Sequence, residues 1–277
     1  MWKIIGASVT GASHEAAGTS CEDASSWRAG PTVTCLAIAD GAGSRPLSGR
    51  GAALAVDRAL LMARACAGRD EPDDPHTWLQ LIVKDVREQI AMLAAAEGRE
   101  PGDFASTLGI AILTSTVACV GQIGDTIAVL GEAGQYRTVD PAPRTEYVNE
   151  TSFVTDKSAA EQLRVTIEPV AGIDSVFLST DGLRYKVLGN LMTAAPFPPF
   201  FEDLAAYTRS PEASVDQIRQ FLASLDDQCG DDKTLVAAVR MASEPLASVT
   251  KEEQHTEPVL HDGLIAHAGP DIQESQQ

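Results

Sequence analysis

At 277 residues and 44% apolar content, the chain is long enough to bury one large core and too apolar to be disordered throughout. A formal charge of −18 argues against nucleic acid or an anionic membrane as a default partner. Cys21, Cys35, Cys66, Cys119 and Cys229 form no CxxC and no zinc-type His/Cys spacing, so they read as free buried thiols of a reducing cytosol. No segment joins a basic start to an apolar run and a cleavage site, and none stays apolar for the roughly 18 residues of a membrane span. The expectation is a cytoplasmic protein with no membrane partner.

In chain order, residues 2–10 (WKIIGASVT) read as a first strand, and the Gly/Ser/His/Glu-rich segment after them as a loop. A second strand is expected at 32–39, ending at Asp40. Residues 48–67 carry apolar side chains at helical spacing and close on Gly68, so they predict a helix. RDEPDDP is a connection. Residues 76–96 predict a second helix, with Trp78, Leu81, Ile82, Val86, Ile90 and Leu93 on one stripe. Two such helices after strands should lie against a sheet face.

The pattern then returns to β. Strands are expected at 106–113, 117–121, 127–130 and 135–139, as a meander with tight turns at Gly124-Asp125 and Gly131–Gly134. Residues 140–172 are the least regular part, with one strand near 163–168. Another apolar strand runs into Asp181. Pro196, Pro198 and Pro199 break the segment after it. Two shorter helices follow at 200–209 and 214–225, and a last strand at 234–241 closes the sheet. The class is α+β, with antiparallel sheets and segregated helices. From residue 242 to 277 the composition is polar, acidic and Pro/Gly-spotted, so a core domain over 1–241 is expected to precede a disordered acidic tail.

Four acidic points recur at strand ends. Asp40 is followed by Gly41, Ala42, Gly43 and Ser44, after an apolar strand. FLSTDGL repeats the design at Asp181-Gly182. Asp231-Asp232 precedes the last strand, and Glu22-Asp23 stands shortly before the Thr34 strand. A strand-Asp-Gly sequence is also an ordinary turn. Four separated carboxylate positions are nevertheless what an all-oxygen site for hard cations requires.

The order GASHEAAGTSCEDA, ADGAGS, STLGIAIL, VGQIGDTIAVL, FLSTDGL, DDKTLVAAV resembles the metal-dependent protein phosphatases of type 2C in a bacterial form, over roughly residues 5–240. The resemblance implies a two-sheet antiparallel β-sandwich flanked by helices, with two Mn2+ or Mg2+ ions at one edge. It implies hydrolysis of phosphoserine or phosphothreonine in phosphoprotein substrates, set by a bacterial Ser/Thr kinase, by a monomer. A water activated between the ions would be the nucleophile. Asp40 would bridge the ions, the Gly41 carbonyl would bind one, and Asp181 and Asp231 the other. Asp23 would sit beside the pair, with Glu22 next to it. Aligning the last motif on Lys233 rather than Thr234 would exchange Asp231 for Asp232. For Asp125, in the family's Gly-Asp turn, a structural role is favoured over metal contact. A variable flap is expected to border the site within 140–172.

Two departures stand out. Gly18 occupies a position where the family commonly carries a phosphate-gripping Arg, and Ala42 one where many relatives carry a His. His14, on the same loop as Gly18, is therefore a candidate to meet the phosphoryl or leaving group, with Arg45 and Arg50 as rivals. The bland alternative is that His14 braces its loop. At the level of function, the alternative to an enzyme is a non-catalytic phosphoprotein-binding module of the same fold.

Overall fold

The computed structural model describes residues 1–68, 74–141, 151–226 and 228–241. The tail expected at 242–277 and most of the RDEPDDP connection lie outside them.

Two five-stranded antiparallel sheets form the centre of the molecule, and β10 (Leu188–Asn190) with β11 (Ala195–Pro196) makes a separate two-stranded ribbon. The first has the order β1-β12-β9-β6-β7, from Trp2–Val9, Lys233–Arg240, Ser175–Ser179, Ile127–Glu132 and Gln135–Thr138. The second has the order β2-β3-β4-β5-β8, from Ala24–Arg28, Thr34–Ala39, Leu108–Leu113, Val117–Ile123 and Arg164–Pro169. The facing surfaces bury Leu36, Ile38, Leu113 and Val120 of one sheet against Leu130, Val176, Leu178 and Val236 of the other. Outside the second sheet lie α2 (Ser48–Ala67) and α3 (Pro75–Glu97), which bury Val56, Trp78, Ile82, Val86 and Ile90 with Cys35, Ile110 and Ile112. Outside the first lie α5 (Pro198–Arg209) and α6 (Val215–Ser224), packed through Phe201, Leu204, Ile218 and Leu222 onto Ile5, Phe177 and Leu235. Strands such as β3, β4 and β9 are therefore covered on both faces and are apolar without alternation. Each large apolar side chain fully withdrawn from water there contributes about 1.5–3 kcal/mol.

This is the α+β sandwich flanked by helices that the sequence predicts, with four local corrections. The expected loop after β1 contains a short helix, α1 (Ala12–Ala17), held from outside by a bond from Ser13 N–H to the Gly230 carbonyl (2.9 Å). Strand β2 was not expected, because ASSWR has one large apolar side chain and no alternation. It forms as an edge strand on β3, paired from Ala24↔Ala39 to Arg28↔Cys35. The expected meander is two hairpins in different sheets, β4-β5 and β6-β7. Gly124-Asp125 is thus the crossing between sheets and not a hairpin turn, and Gln122 braces it by donating to the Thr126 carbonyl at 2.7 Å. Finally, β12 does not close its sheet but lies inside it, between β1 and β9.

Candidate metal centre at the sandwich edge

Three chain segments bring carboxylates to one edge of the sandwich. Asp40 leaves the end of β3. Its own N–H donates to Thr107 Oγ1 at 2.9 Å, and its carbonyl accepts from Thr107 N–H at 2.9 Å. Gly41, buried, forms an antiparallel bridge with Ser106, and Ala42 N–H donates to the Ala105 carbonyl at 3.0 Å. The Ser106-Thr107 stretch therefore fixes where the Asp40-Gly41 turn points. Asp181 leaves the end of β9 in a 3-10 turn over Asp181–Leu183. Asp231 lies two residues before β12, next to β9 in the sheet. The two loops touch: a Cβ on Gly182 would stand 1.9 Å from the Asp232 carbonyl oxygen, so a residue without a side chain is needed there.

One carboxylate oxygen from each of Asp40, Asp181 and Asp231 lies within 4.8 Å of the other two. Asp181 Oδ1 is buried and accepts no hydrogen bond. All three carboxyls, and that of Asp23, are pushed above the ordinary carboxylate range. Burial is the first cause in each case, and the charges of neighbouring aspartates add to it. A half-buried set of like charges with an orphaned oxygen is electrostatically incomplete as it stands. An all-oxygen donor set of this kind fits small hard divalent cations and not zinc of the thiolate or imidazole type.

Asp23 is half-buried, close enough for its charge to raise Asp40, and tied to a hydroxyl chain. Its Oδ2 accepts from Thr180 Oγ1 at 2.8 Å, Thr180 Oγ1 accepts from Thr234 N–H at 3.0 Å, and Thr234 Oγ1 donates to Ser8 Oγ at 2.8 Å. Asp125 is outside the trio. Its Oδ2 accepts from Thr151 Oγ1 at 3.3 Å, and its charge raises both Asp40 and Asp181.

Asp232 does different work from its neighbour. Its side chain is 1% exposed, with Oδ1 accepting from Gly11 N–H at 2.7 Å and Oδ2 from Glu22 N–H at 2.6 Å. His14 Nδ1 stands 2.9 Å from Oδ1, while His14 Nε2 is 3.9 Å from Glu22 Oε2. Burial pushes the Asp232 carboxyl up, but His14 and the two backbone N–H groups outweigh it, and the net shift is downward. Asp232 in turn raises the His14 imidazole. The structure thus places His14 against Asp232 and Glu22, on the bracing side of the site and not against the carboxylate trio. Glu22 also accepts from Ser48 Oγ at 2.8 Å, which ties this brace to the first turn of α2.

Of the rival cations, Arg50 is committed to Glu97 by two bonds (2.8 and 2.6 Å) and stacks over Phe104. Arg45 is exposed on the loop after Asp40. Gly18 is the exposed C-cap of α1, with φ of 70°. One cation was missed in the sequence. Arg184 Nη2 lies 3.0 Å from Asp181 Oδ2, and its charge favours the ionised forms of both Asp181 and Asp231. The available signal was an Arg three residues after the Asp181 motif, at the spacing that brings side chains together on one helical turn.

Comparison with known proteins agrees with this geometry. The family model for protein phosphatase 2C matches residues 10–223. Serine/threonine-protein phosphatase 3 of Escherichia coli is 30% identical over 252 residues, covering 86% of this chain and 98% of that protein. Among solved structures, the serine/threonine phosphatase Stp1 of Staphylococcus aureus is similar at a TM-score of 0.61 and 17% identity, over 87% of this chain and 96% of that one. The catalytic domain of the phosphatase PstP, in complex with two manganese ions, gives 0.56 and 16%, over 86% and 97%. At those identities the two structures establish the fold alone, while the family match and the E. coli relative carry the assignment. The chain belongs to the protein phosphatase 2C family.

Proposed function

We propose that this protein is a serine/threonine phosphatase whose Asp40, Asp181 and Asp231 carboxylates, with the Gly41 carbonyl, hold a pair of Mn2+ or Mg2+ ions. The observation that carries the reading is the convergence of three carboxylates from separate segments within 4.8 Å, one with an oxygen that no protein donor satisfies. A module that only bound phosphoproteins would have no need of that set. The manganese-bound PstP domain, of the same fold, supports the choice of ion. When bound, such a cation pair neutralises charge on phosphoryl oxygens and lowers the pKa of an attacking water. Phosphate monoesters are among the slowest bonds to hydrolyse in water, so the barrier reduction required is large.

The chain's own groups then have distinct tasks. Asp40, locked at its backbone by Thr107, presents its carboxylate from a strand end that cannot shift without breaking the sheet edge. Asp23, held by Thr180 and near Asp40, would supply an acceptor for the proton of a bound water. Asp232, His14 and Glu22 keep the segments that carry Asp23 and Asp231 together. His14 is therefore a positioning residue here and not the group that meets phosphate. We place the protein in the cytoplasm, as a monomer opposing a Ser/Thr kinase. In support, its five cysteines are odd in number and scattered along the chain, a usage that suits free thiols of a reducing compartment. Of the thiols expected buried, Cys35, Cys66 and Cys119 are so, Cys21 is half-buried and Cys229 is exposed.

The test is an assay on p-nitrophenyl phosphate and a phosphothreonine peptide, with manganese, magnesium, calcium or excess chelator, alongside calorimetric titration of Mn2+. Hydrolysis that needs manganese or magnesium and prefers them to calcium is expected. Full activity in excess chelator, or no Mn2+ binding, would overturn the reading.

A further inference from the structure

Resting on the phosphatase reading above, we infer that Arg184 is the residue that grips the substrate's phosphoryl group. A phosphomonoester is a dianion, and it must approach an edge where Asp23, Asp40, Asp181 and Asp231 concentrate negative charge. A fixed positive side chain beside those carboxylates would favour entry and orientation of the dianion. Arg184 is such a side chain. It begins α4 (Arg184–Val187), directly after the 3-10 turn that carries Asp181.

Its contact with Asp181 is single-pronged, Nη2 to Oδ2 at 3.0 Å, and leaves the fork of the guanidinium incompletely used. Nε is buried with no hydrogen-bond partner, while the side chain as a whole is 43% exposed. The guanidinium also lies over the Tyr185 ring, 5.5 Å from its centroid, which holds its plane. With Nε buried and Nη2 on Asp181, the exposed part of the guanidinium can still offer N–H groups to a phosphoryl oxygen. Among the described residues, the other candidates raised for this role are engaged elsewhere or peripheral. Arg50 is bound to Glu97, His14 to Asp232, and Gly18 offers no side chain at all. Arg45, exposed after the Asp40 turn, is the rival.

The experiment uses the full-length protein loaded with manganese. Binding of inorganic phosphate is measured by calorimetry, KM and kcat on p-nitrophenyl phosphate by assay, and Mn2+ affinity by titration, for wild type, Arg184→Ala, Arg184→Lys and Arg45→Ala. Arg184→Ala should weaken phosphate binding and raise KM by about tenfold or more, with kcat changed much less. Its Mn2+ affinity should hold or tighten, since a positive charge beside Asp181 is removed. Arg184→Lys should recover part of the loss, as a point charge without the fork. Unchanged phosphate binding in Arg184→Ala overturns the inference. So does a loss of Mn2+ affinity that accounts for the whole effect, or the same phosphate defect appearing in Arg45→Ala instead. A wild-type protein that neither binds Mn2+ nor hydrolyses the ester overturns the phosphatase reading itself. An active wild type with a normal Arg184→Ala overturns this inference alone.

Discussion

Asp231 and Asp232 are consecutive, share one loop before β12 and have identical side chains, yet the fold treats them in opposite ways. Asp231 turns to Asp40 and Asp181, and its carboxyl is raised, with burial the first cause. Asp232, more deeply buried, turns to two backbone N–H groups and an imidazole, and its carboxyl is lowered all the same. Burial alone therefore does not decide the charge state of a carboxylate. The partners do. One side of the loop is left short of positive charge, which is how a cation site is built, and the other is complete, which is how a loop is held.

The sharpest way to test that contrast is to remove charge from the incomplete side. Asp40→Asn and Asp181→Asn should each lower turnover by orders of magnitude, because each removes a ligand while conserving volume. In the metal-free protein the same variants should melt at or above the wild-type temperature, since they remove the desolvation and like-charge cost of a half-buried carboxyl. Circular dichroism melts with and without manganese check both statements. A variant with near-wild-type turnover at saturating manganese would show that the carboxylate is not a ligand.

The next step sets the two neighbours against each other. Asp231→Asn should weaken Mn2+ binding and abolish the rise in melting temperature that manganese gives wild type, leaving metal-free stability almost unchanged. Asp232→Asn should do the reverse. Its amide nitrogen would face a backbone donor, from Gly11 or Glu22, and an unsatisfied buried donor costs about 1–3 kcal/mol. For a domain of this size that is about 2–4 °C per kcal/mol in Tm. Should Asp232→Asn lose Mn2+ affinity while Asp231→Asn keeps it, the ligand assignment would have to be exchanged.

Much of this was legible in the chain, for physical reasons that can be named. Strands β3, β9 and β12 are covered on both faces, so they are apolar runs that end abruptly, and the aspartates at their ends stand out. Helices α2 and α3 declare themselves by spacing and by glycine at the end, Gly68 and Gly98. What was not legible depended on partners distant in sequence. Strand β2 exists because β3 offers it an edge, and ASSWR has no pattern of its own. The sheet assignment of β5 and β6 is fixed by β8 and β9, which lie far along the chain. The choice between Asp231 and Asp232 needed Gly11 and Glu22, some 210 residues away or more, to be brought into contact. Arg184 was passed over because an Arg in a short polar helix reads as solvated surface until Asp181 is seen beside it.

The smallest expected effect is on His14, and it tests whether the complete side of the loop is complete because of the imidazole. His14 pairs with Asp232 at a side-chain exposure of 19%, so water screens part of the interaction and the pair contributes about 1 kcal/mol or less. Asp232 raises the imidazole pKa above its ordinary 6.5. A raised folded-state pKa means that the charged form is favoured by folding. The contribution is fully present below the unfolded value and fades as pH rises through the folded one. His14→Ala should therefore cost more stability near pH 6 than at alkaline pH, because the contribution fades as the wild-type imidazole loses its charge. Asp232 keeps its two backbone donors at either pH, so the variant should still fold and bind Mn2+. Catalytic efficiency should fall in step with stability, and His14→Gln, which retains a donor toward Asp232, should recover part of both. Melts at the two pH values, paired with kinetics at each, decide the matter. A loss in kcat/KM of tenfold or more with no change in Tm would return His14 to the substrate side of the site and would take the brace away from Asp232.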